Sequence, residues 1–204
     1  MKWALVLLLA GCRSLPFPDP HLEGEYGQTL KKWTRSVPLY AGLETRAFVR
    51  VVYLSPEFVT AQAKMISMMR AEMPDQAAHT LAHLRDEYRQ PTFFAIAYIP
   101  DKTANDLNEP NSVWRIALKL GAGEQAPEKI ERFERPFNAE LRALYPYLDE
   151  YSTAYLIRFP AVANASPQRS MEASNPQEVH LVIAGALGRM TFQWLGGGTP
   201  EDSK

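Results

Sequence analysis

The chain has 204 residues, 46% of them apolar, with 22 Lys and Arg against 23 Asp and Glu. That apolar fraction suffices for a packed core, while the balanced charge gives neither the basic footprint of nucleic-acid binding nor a polybasic patch for anionic lipid. The single cysteine, Cys12, leaves residues 13 to 204 without a disulfide, a thiolate nucleophile or a zinc–thiolate site.

In chain order, Lys2 precedes a short apolar run, Ala4 to Leu8, which leads into Leu9-Ala10-Gly11-Cys12. A positive start, an apolar stretch and small residues before a cleavage point make a secretory signal. The run is too short to span a bilayer, which takes about 20 apolar residues. Leu-Ala-Gly-Cys resembles the lipobox of bacterial lipoproteins. The resemblance implies that residues 1–11 are a removable signal peptide and that Cys12 is lipidated as the first mature residue. Attachment is then through acyl chains on Cys12, each buried methylene contributing roughly 0.8 kcal/mol, and no other cofactor is expected. An aspartate after the cysteine tends to retain such proteins in the inner membrane. Arg13 stands there instead, which implies the outer membrane. Losing Lys2 with the signal leaves 21 basic against 23 acidic residues, a net charge of −2.

Residues 12–24 read as the lipidated cysteine and a tether, extended by Pro16, Pro18 and Pro20. Residues 25–195 read as one domain. Tyr26, Leu30 and Trp33 fit one face of a short helix running to about Arg35. Thr45 to Leu54 reads as the first strand. Ser55-Pro56-Glu57 signals a helix start: an N-cap serine, proline at the first position and an acid in the first turn. Phe58, Met65, Ile66, Met69 and Met73 share a face of that helix, which kinks or restarts at Pro74. Ala77, Leu81, Leu84 and Tyr88 then carry an apolar stripe to Pro91.

Thr92 to Ile99 is apolar on both faces, so the strand must be covered on both sides. Asp101 to Asn111 is a polar loop. Trp114, Ile116, Leu118 and Leu120 alternate with Arg115 and Lys119. A short extended piece follows at Lys129 to Arg135, and a weak helix between Phe137 and Leu148. Thr153 to Phe159 alternates again. Ala161 to Gln177 reads as loop, Glu178–Ala184 and Arg189–Leu195 as a hairpin about Gly185 and Gly188, and residues 196–204 as a disordered tail. The pattern predicts an α+β fold: an antiparallel β-sandwich, immunoglobulin- or transthyretin-like, with a helical pair inserted after the first strand. Trp33-Thr34-Arg35, Asn105-Asp106-Leu107, Ser112-Val113-Trp114-Arg115, Leu144-Tyr145-Pro146-Tyr147 and Tyr155-Leu156-Ile157-Arg158-Phe159-Pro160 also resemble a group of uncharacterised bacterial lipoproteins. That resemblance covers about residues 28–160 and implies no activity.

Asp75, His79, His83 and Glu87 recur every four residues along one helical ridge. His79, His83 and Glu87 could share a zinc or copper ion, although Thr80 stands where a metalloprotease helix carries its glutamate. A solvated polar face is the preferred reading of the ridge. Met65, Met68, Met69 and Met73 offer soft thioethers for copper but are better read as core fillers. Arg50, Arg115 and Arg158 sit in strands, where pairing or exposure is preferred over a joint anion site. No Gly-x-Ser-x-Gly elbow or phosphate loop is present, and no catalytic residue set is read. Tyr145, Tyr147 and Tyr151 gather in a loop region where a partner could dock. The functional expectation is a lipid-anchored envelope protein acting as a binding, scaffold or accessory subunit. The alternative is a periplasmic metal-binding protein. The partners are the membrane, through the lipid, and an envelope protein, with no nucleic acid.

Overall fold

A computed structural model describes residues 24–120, 123–161 and 178–195. The leader, Cys12, the proline-rich tether, nearly all of the Ala161–Gln177 stretch and the tail therefore lie outside the described residues. Among the described residues four helices and nine strands follow in order: α1 (Gly24–Trp33), β1 (Thr34–Ala41), β2 (Glu44–Tyr53), α2 (Pro56–Met69), α3 (Pro74–Glu87), β3 (Thr92–Tyr98), β4 (Trp114–Leu120), β5 (Gly123–Gln125), β6 (Lys129–Arg132), α4 (Ala139–Leu144), β7 (Thr153–Arg158), β8 (Val179–Gly185) and β9 (Gly188–Trp194). No described helix is long and apolar enough to cross a membrane.

The strands make two antiparallel sheets, β1-β2-β3-β7-β6 and β5-β4-β8-β9. The chain is thus α+β, but β1 corrects the predicted order. The helix ends at Trp33, not near Arg35, and the chain turns at once into a strand that pairs with β2 around Gly42. The α2–α3 pair therefore follows the second strand, not the first. Pro38 hides β1 in the sequence. At the edge of a sheet its missing N–H costs no ladder bond, which is why it is tolerated there. At the other end of the fold Gly185 is obligatory for a steric reason: a β-carbon there would lie 2.0 Å from the carbonyl oxygen of Val113.

β3 lies at the centre of the five-stranded sheet, and every residue from Thr92 to Ala97 is buried. Its two faces meet different partners. Phe93 packs with Tyr53 at 5.0 Å between ring centroids, with Phe159 at 5.7 Å, and with Trp194 of the other sheet at 5.4 Å. Phe94, on the opposite face, stacks on Tyr145 at 4.0 Å and meets Phe133 edge-on at 5.5 Å. A strand covered by the second sheet on one side and by the helical layer on the other needs no polar face, so its continuous apolar run is explained. Trp194 also donates from its indole N–H to the carbonyl of Trp33 at 2.9 Å, tying β9 to the end of α1. β4 carries the expected alternation, with Trp114, Ile116 and Leu118 buried and Arg115 exposed.

The N-terminus of α2 forms as its sequence requires. Ser55 Oγ accepts from the N–H of Phe58 at 3.1 Å, with Pro56 at the first helical position. The face it buries holds Phe58, Val59, Gln62, Ala63 and Ile66. The methionine expectation needs correction here: Met65 is part-buried, but Met68, Met69 and Met73 are 60%, 37% and 68% exposed. The helix ends at Met69, Ala71 takes a positive φ of 49°, and Pro74 starts a new helix, so the period that places Met73 on the core face does not run through.

Burial also sets an alkaline limit on stability. Desolvation pushes the hydroxyls of Tyr53 and Tyr155 up to about 12, against 10.0 in water. A raised folded pKa stabilises the fold fully below the unfolded value and loses that contribution as pH rises through the folded value. Tyrosinate absorbance from these residues should therefore rise together with loss of near-ultraviolet circular dichroism, near pH 12. Ionisation complete near pH 10 with the dichroism intact would contradict this packing.

Candidate functional site

Between the α2–α3 pair and α4 lies a half-open cleft of about 540 Å³. The five-stranded sheet contributes Phe94 and Leu156 to it, α2 contributes Gln62 and Ile66, and α3 contributes Leu84. Tyr88, Phe133, Leu141, Leu144 and Tyr145 complete its apolar lining, while Arg70, Glu140, His79 and His83 bring polar groups to it. Arg70 at the end of α2 reaches Glu140 of α4 through a two-pronged bridge, Nε to Oε2 at 2.9 Å and Nη2 to Oε1 at 2.8 Å. Both partners are well exposed, so the bridge contributes little stability. Its effect is to link the two helical elements that line the cleft.

Glu72 fixes the α2–α3 corner. Its Oε2 accepts from Ser67 Oγ and Thr80 Oγ1, each at 2.8 Å. These hydrogen bonds, with Arg70 nearby, hold the carboxyl below its ordinary range. The Glu72 contribution is therefore present above the ordinary carboxylate pKa and is lost as pH falls through the depressed folded value.

Gln62 is the polar residue within the buried face of α2. Its Nε2 donates to the hydroxyl of Tyr145 at 3.1 Å, while its Oε1 is buried with no hydrogen-bond partner among the described residues. Burial drives the Tyr145 hydroxyl well above its usual pKa. Tyr145→Phe strands the amide and Gln62→Leu strands the phenol, so each single change should cost about 1–3 kcal/mol. The Gln62→Leu/Tyr145→Phe pair removes both polar groups and should be close to neutral, since no buried donor or acceptor is left over. Denaturant titration of the four-member cycle reads this directly, and additive losses would mean that the two groups are not coupled.

The structure places the sequence candidates unevenly. His79 and His83 are exposed and line the cleft. Glu87 is committed elsewhere: its Oε1 accepts from Arg158 Nη2 at 3.0 Å, and His83 Nδ1 stands 3.9 Å from its Oε2. Asp75 lies in the first turn of α3. Among the described residues no three of His, Cys, Asp and Glu converge on a metal-sized site. Arg158 also faces Glu131 at 3.8 Å. A guanidinium already neutralising Glu87 disfavours a second cation there. Zinc should therefore give no rise in melting temperature that His79→Ala/His83→Ala abolishes; such a rise would restore the metal reading.

The three tyrosines do not form one exposed cluster, which corrects the docking-loop expectation. Tyr145 and Tyr147 are only 2% and 6% exposed, and Tyr151 alone remains out, at 66%. Tyr145 sits at the C-cap of α4, where its ring meets Phe94 and Phe58. Tyr147 lies under the Arg50 guanidinium at 5.0 Å, with Phe48 on the same cation at 4.6 Å. Arg50 and Arg158 belong to one sheet and the exposed Arg115 to the other, so the three make no common site. Sequence reasoning missed Gln62, Arg70, Phe133 and Glu140. A signal for Gln62 existed: it lies four residues from both Phe58 and Ile66, inside the apolar stripe.

No protein-family model matches the chain, and no curated protein matches it. Among solved structures it is similar to a novel protein of unknown function from Burkholderia pseudomallei K96243, at 9% identity and a TM-score of 0.37 over 86% of this chain and 88% of that one.

Proposed function

We propose that this chain is a lipid-anchored bacterial envelope protein that acts by binding, as an accessory or scaffold subunit, with its partner seated on the cleft between α2–α3 and α4. The lipobox supports the anchor on Cys12, and Arg13 supports the outer membrane as its location. The fold is read as an antiparallel β-sandwich of the immunoglobulin or transthyretin kind with a helical layer on one face. The observation that carries the binding role is the cleft itself. It combines an apolar lining that includes Phe94, Phe133, Leu144 and Leu156 with charged groups at Arg70 and Glu140. An apolar centre with polar groups around it is the make-up of a recognition site.

His79 is exposed and lines the cleft, so His79→Trp can obstruct the site without disturbing the core. The test is mild detergent extraction of the anchored protein, followed by measurement of complex size and composition. Wild type should run with a stoichiometric partner and His79→Trp without it. A monomeric wild type, or a complex indifferent to His79→Trp, would reject the reading.

A further inference from the structure

A second hollow, of about 550 Å³, lies near the end of β3 and shares no lining residue with the cleft. Three cations line it: Lys102 from the Asp101–Asn111 loop, Arg132 from β6, and Arg135 just beyond. Elsewhere the chain pairs many of its bases with acids, as in Lys32–Glu57, Lys64–Glu25, Arg70–Glu140, Lys119–Glu124 and Arg158–Glu87. Here neither guanidinium nor Lys102 has a carboxylate within 4.0 Å among the described residues. Arg132 Nη1 donates to the carbonyl of Asn105 at 3.4 Å, and Arg135 Nη1 to the carbonyl of Glu150. Among the described residues each guanidinium thus spends one N–H on a carbonyl and keeps the rest of its fork.

The acceptor loop is itself fixed. Asn105 donates from Nδ2 to Thr153 Oγ1 at 2.8 Å and accepts the Tyr155 hydroxyl on Oδ1 at 2.8 Å. The one acid in the lining, Glu150, interacts with the Tyr151 hydroxyl. Within the lining, three bases against one acid leave a surplus of two positive charges, which suits a dianion, while Asp106 and Asp149 act from outside it through Tyr155 and Tyr151. A phosphate monoester is largely dianionic at neutral pH, since its second pKa is about 6, and arginine forks match its oxygens in pairs. The hollow is far larger than one phosphate, and Tyr98 and Tyr151 also line it.

We infer that this hollow binds a phosphate monoester carried on a sugar- or nucleoside-sized ring, with Lys102, Arg132 and Arg135 holding the phosphoryl group and Tyr151 flanking the ring. The inference does not depend on the cleft, and its failure leaves the proposed partner site untouched. Calorimetric titration of the full chain with glucose 6-phosphate and with adenosine monophosphate tests it, beside glucose and adenosine as uncharged controls. Saturable binding is expected for the phosphates only, weakening with salt. Arg132→Ala and Arg135→Ala should each lower affinity about tenfold or more, as loss of a charge-assisted fork does. Both residues are exposed, so the melting temperature of each variant should stay at the wild-type value. A further arm uses the full chain carrying Cys12→Ala with vesicles containing phosphatidic acid. Binding to those vesicles without binding to either free phosphate would assign the site to a lipid headgroup and overturn the ring ligand. No saturable binding, or binding indifferent to both arginines, would overturn the site.

Discussion

Trp194→Ala should destabilise the protein by about 3–5 kcal/mol, the range for removing a large buried aromatic side chain. The indole is fully buried and packs against Tyr53 at 5.8 Å and Phe93 at 5.4 Å, so it joins the four-stranded sheet to the centre of the five-stranded one. Its N–H also satisfies the carbonyl of Trp33, and the substitution leaves that acceptor without its indole donor. A single domain is stable by only about 5–15 kcal/mol, so this one change removes much of the margin. Urea titration measures it, with Leu43→Ala as the control. Leu43 is fully exposed in the β1–β2 turn, and its loss should shift stability by less than about 0.5 kcal/mol. A Trp194→Ala loss under about 1 kcal/mol would mean that the two sheets do not depend on this ring.

Cys12→Ser should move the protein from the membrane to the soluble fraction. On the lipoprotein reading two or three acyl chains supply all of the attachment, and at about 0.8 kcal/mol per buried methylene nothing else in the sequence replaces them. The near-balanced overall charge gives no strong general attraction to anionic lipid. Fractionation of cells expressing wild type and Cys12→Ser reads the difference, and Arg13→Asp should shift the anchored form from the outer to the inner membrane. Membrane attachment that survives Cys12→Ser would contradict the anchor.

Much of the fold is legible in the residues because its signals are local. Ser55-Pro56 sets the start of α2, and Trp114, Ile116 and Leu118 set the buried face of β4. Gly185 and Gly188 set the last hairpin, and the two-sided apolar run of β3 announces a strand covered by two layers. What escapes is decided at a distance. β1 is a strand because an edge admits Pro38, and no neighbouring residue states that Thr34–Ala41 is an edge. Met73 leaves the core because the helix stops at Met69, four residues earlier. Tyr145 and Tyr147 look like loop aromatics until Phe94 and Arg50, dozens of residues upstream, meet them. Glu87 reads as part of a solvated ridge, and nothing near it in sequence announces that Arg158, 71 residues away, pairs with its carboxylate.

The candidate cleft was less legible than the fold. It gathers Gln62, Leu84, Phe94, Phe133, Tyr145 and Leu156, residues spread across four elements, the stretch after β6 and the C-cap of α4. His79 and His83 read in the sequence as part of a solvated ridge that could share a metal ion, and they line the cleft as exposed polar groups, as do Arg70 and Glu140. Only Gln62 carried a local hint, as an amide in an apolar stripe.

The most direct test of the binding account places a photo-crosslinking residue at His79 or His83 in living cells, with the same residue at Leu43 and Val113 as controls. All four positions are exposed, and only the first two line the cleft. The account predicts one discrete adduct from the cleft positions in the anchored protein, absent from the controls and lost in Cys12→Ser. Equal labelling at all four positions, or none at His79 and His83, would contradict it.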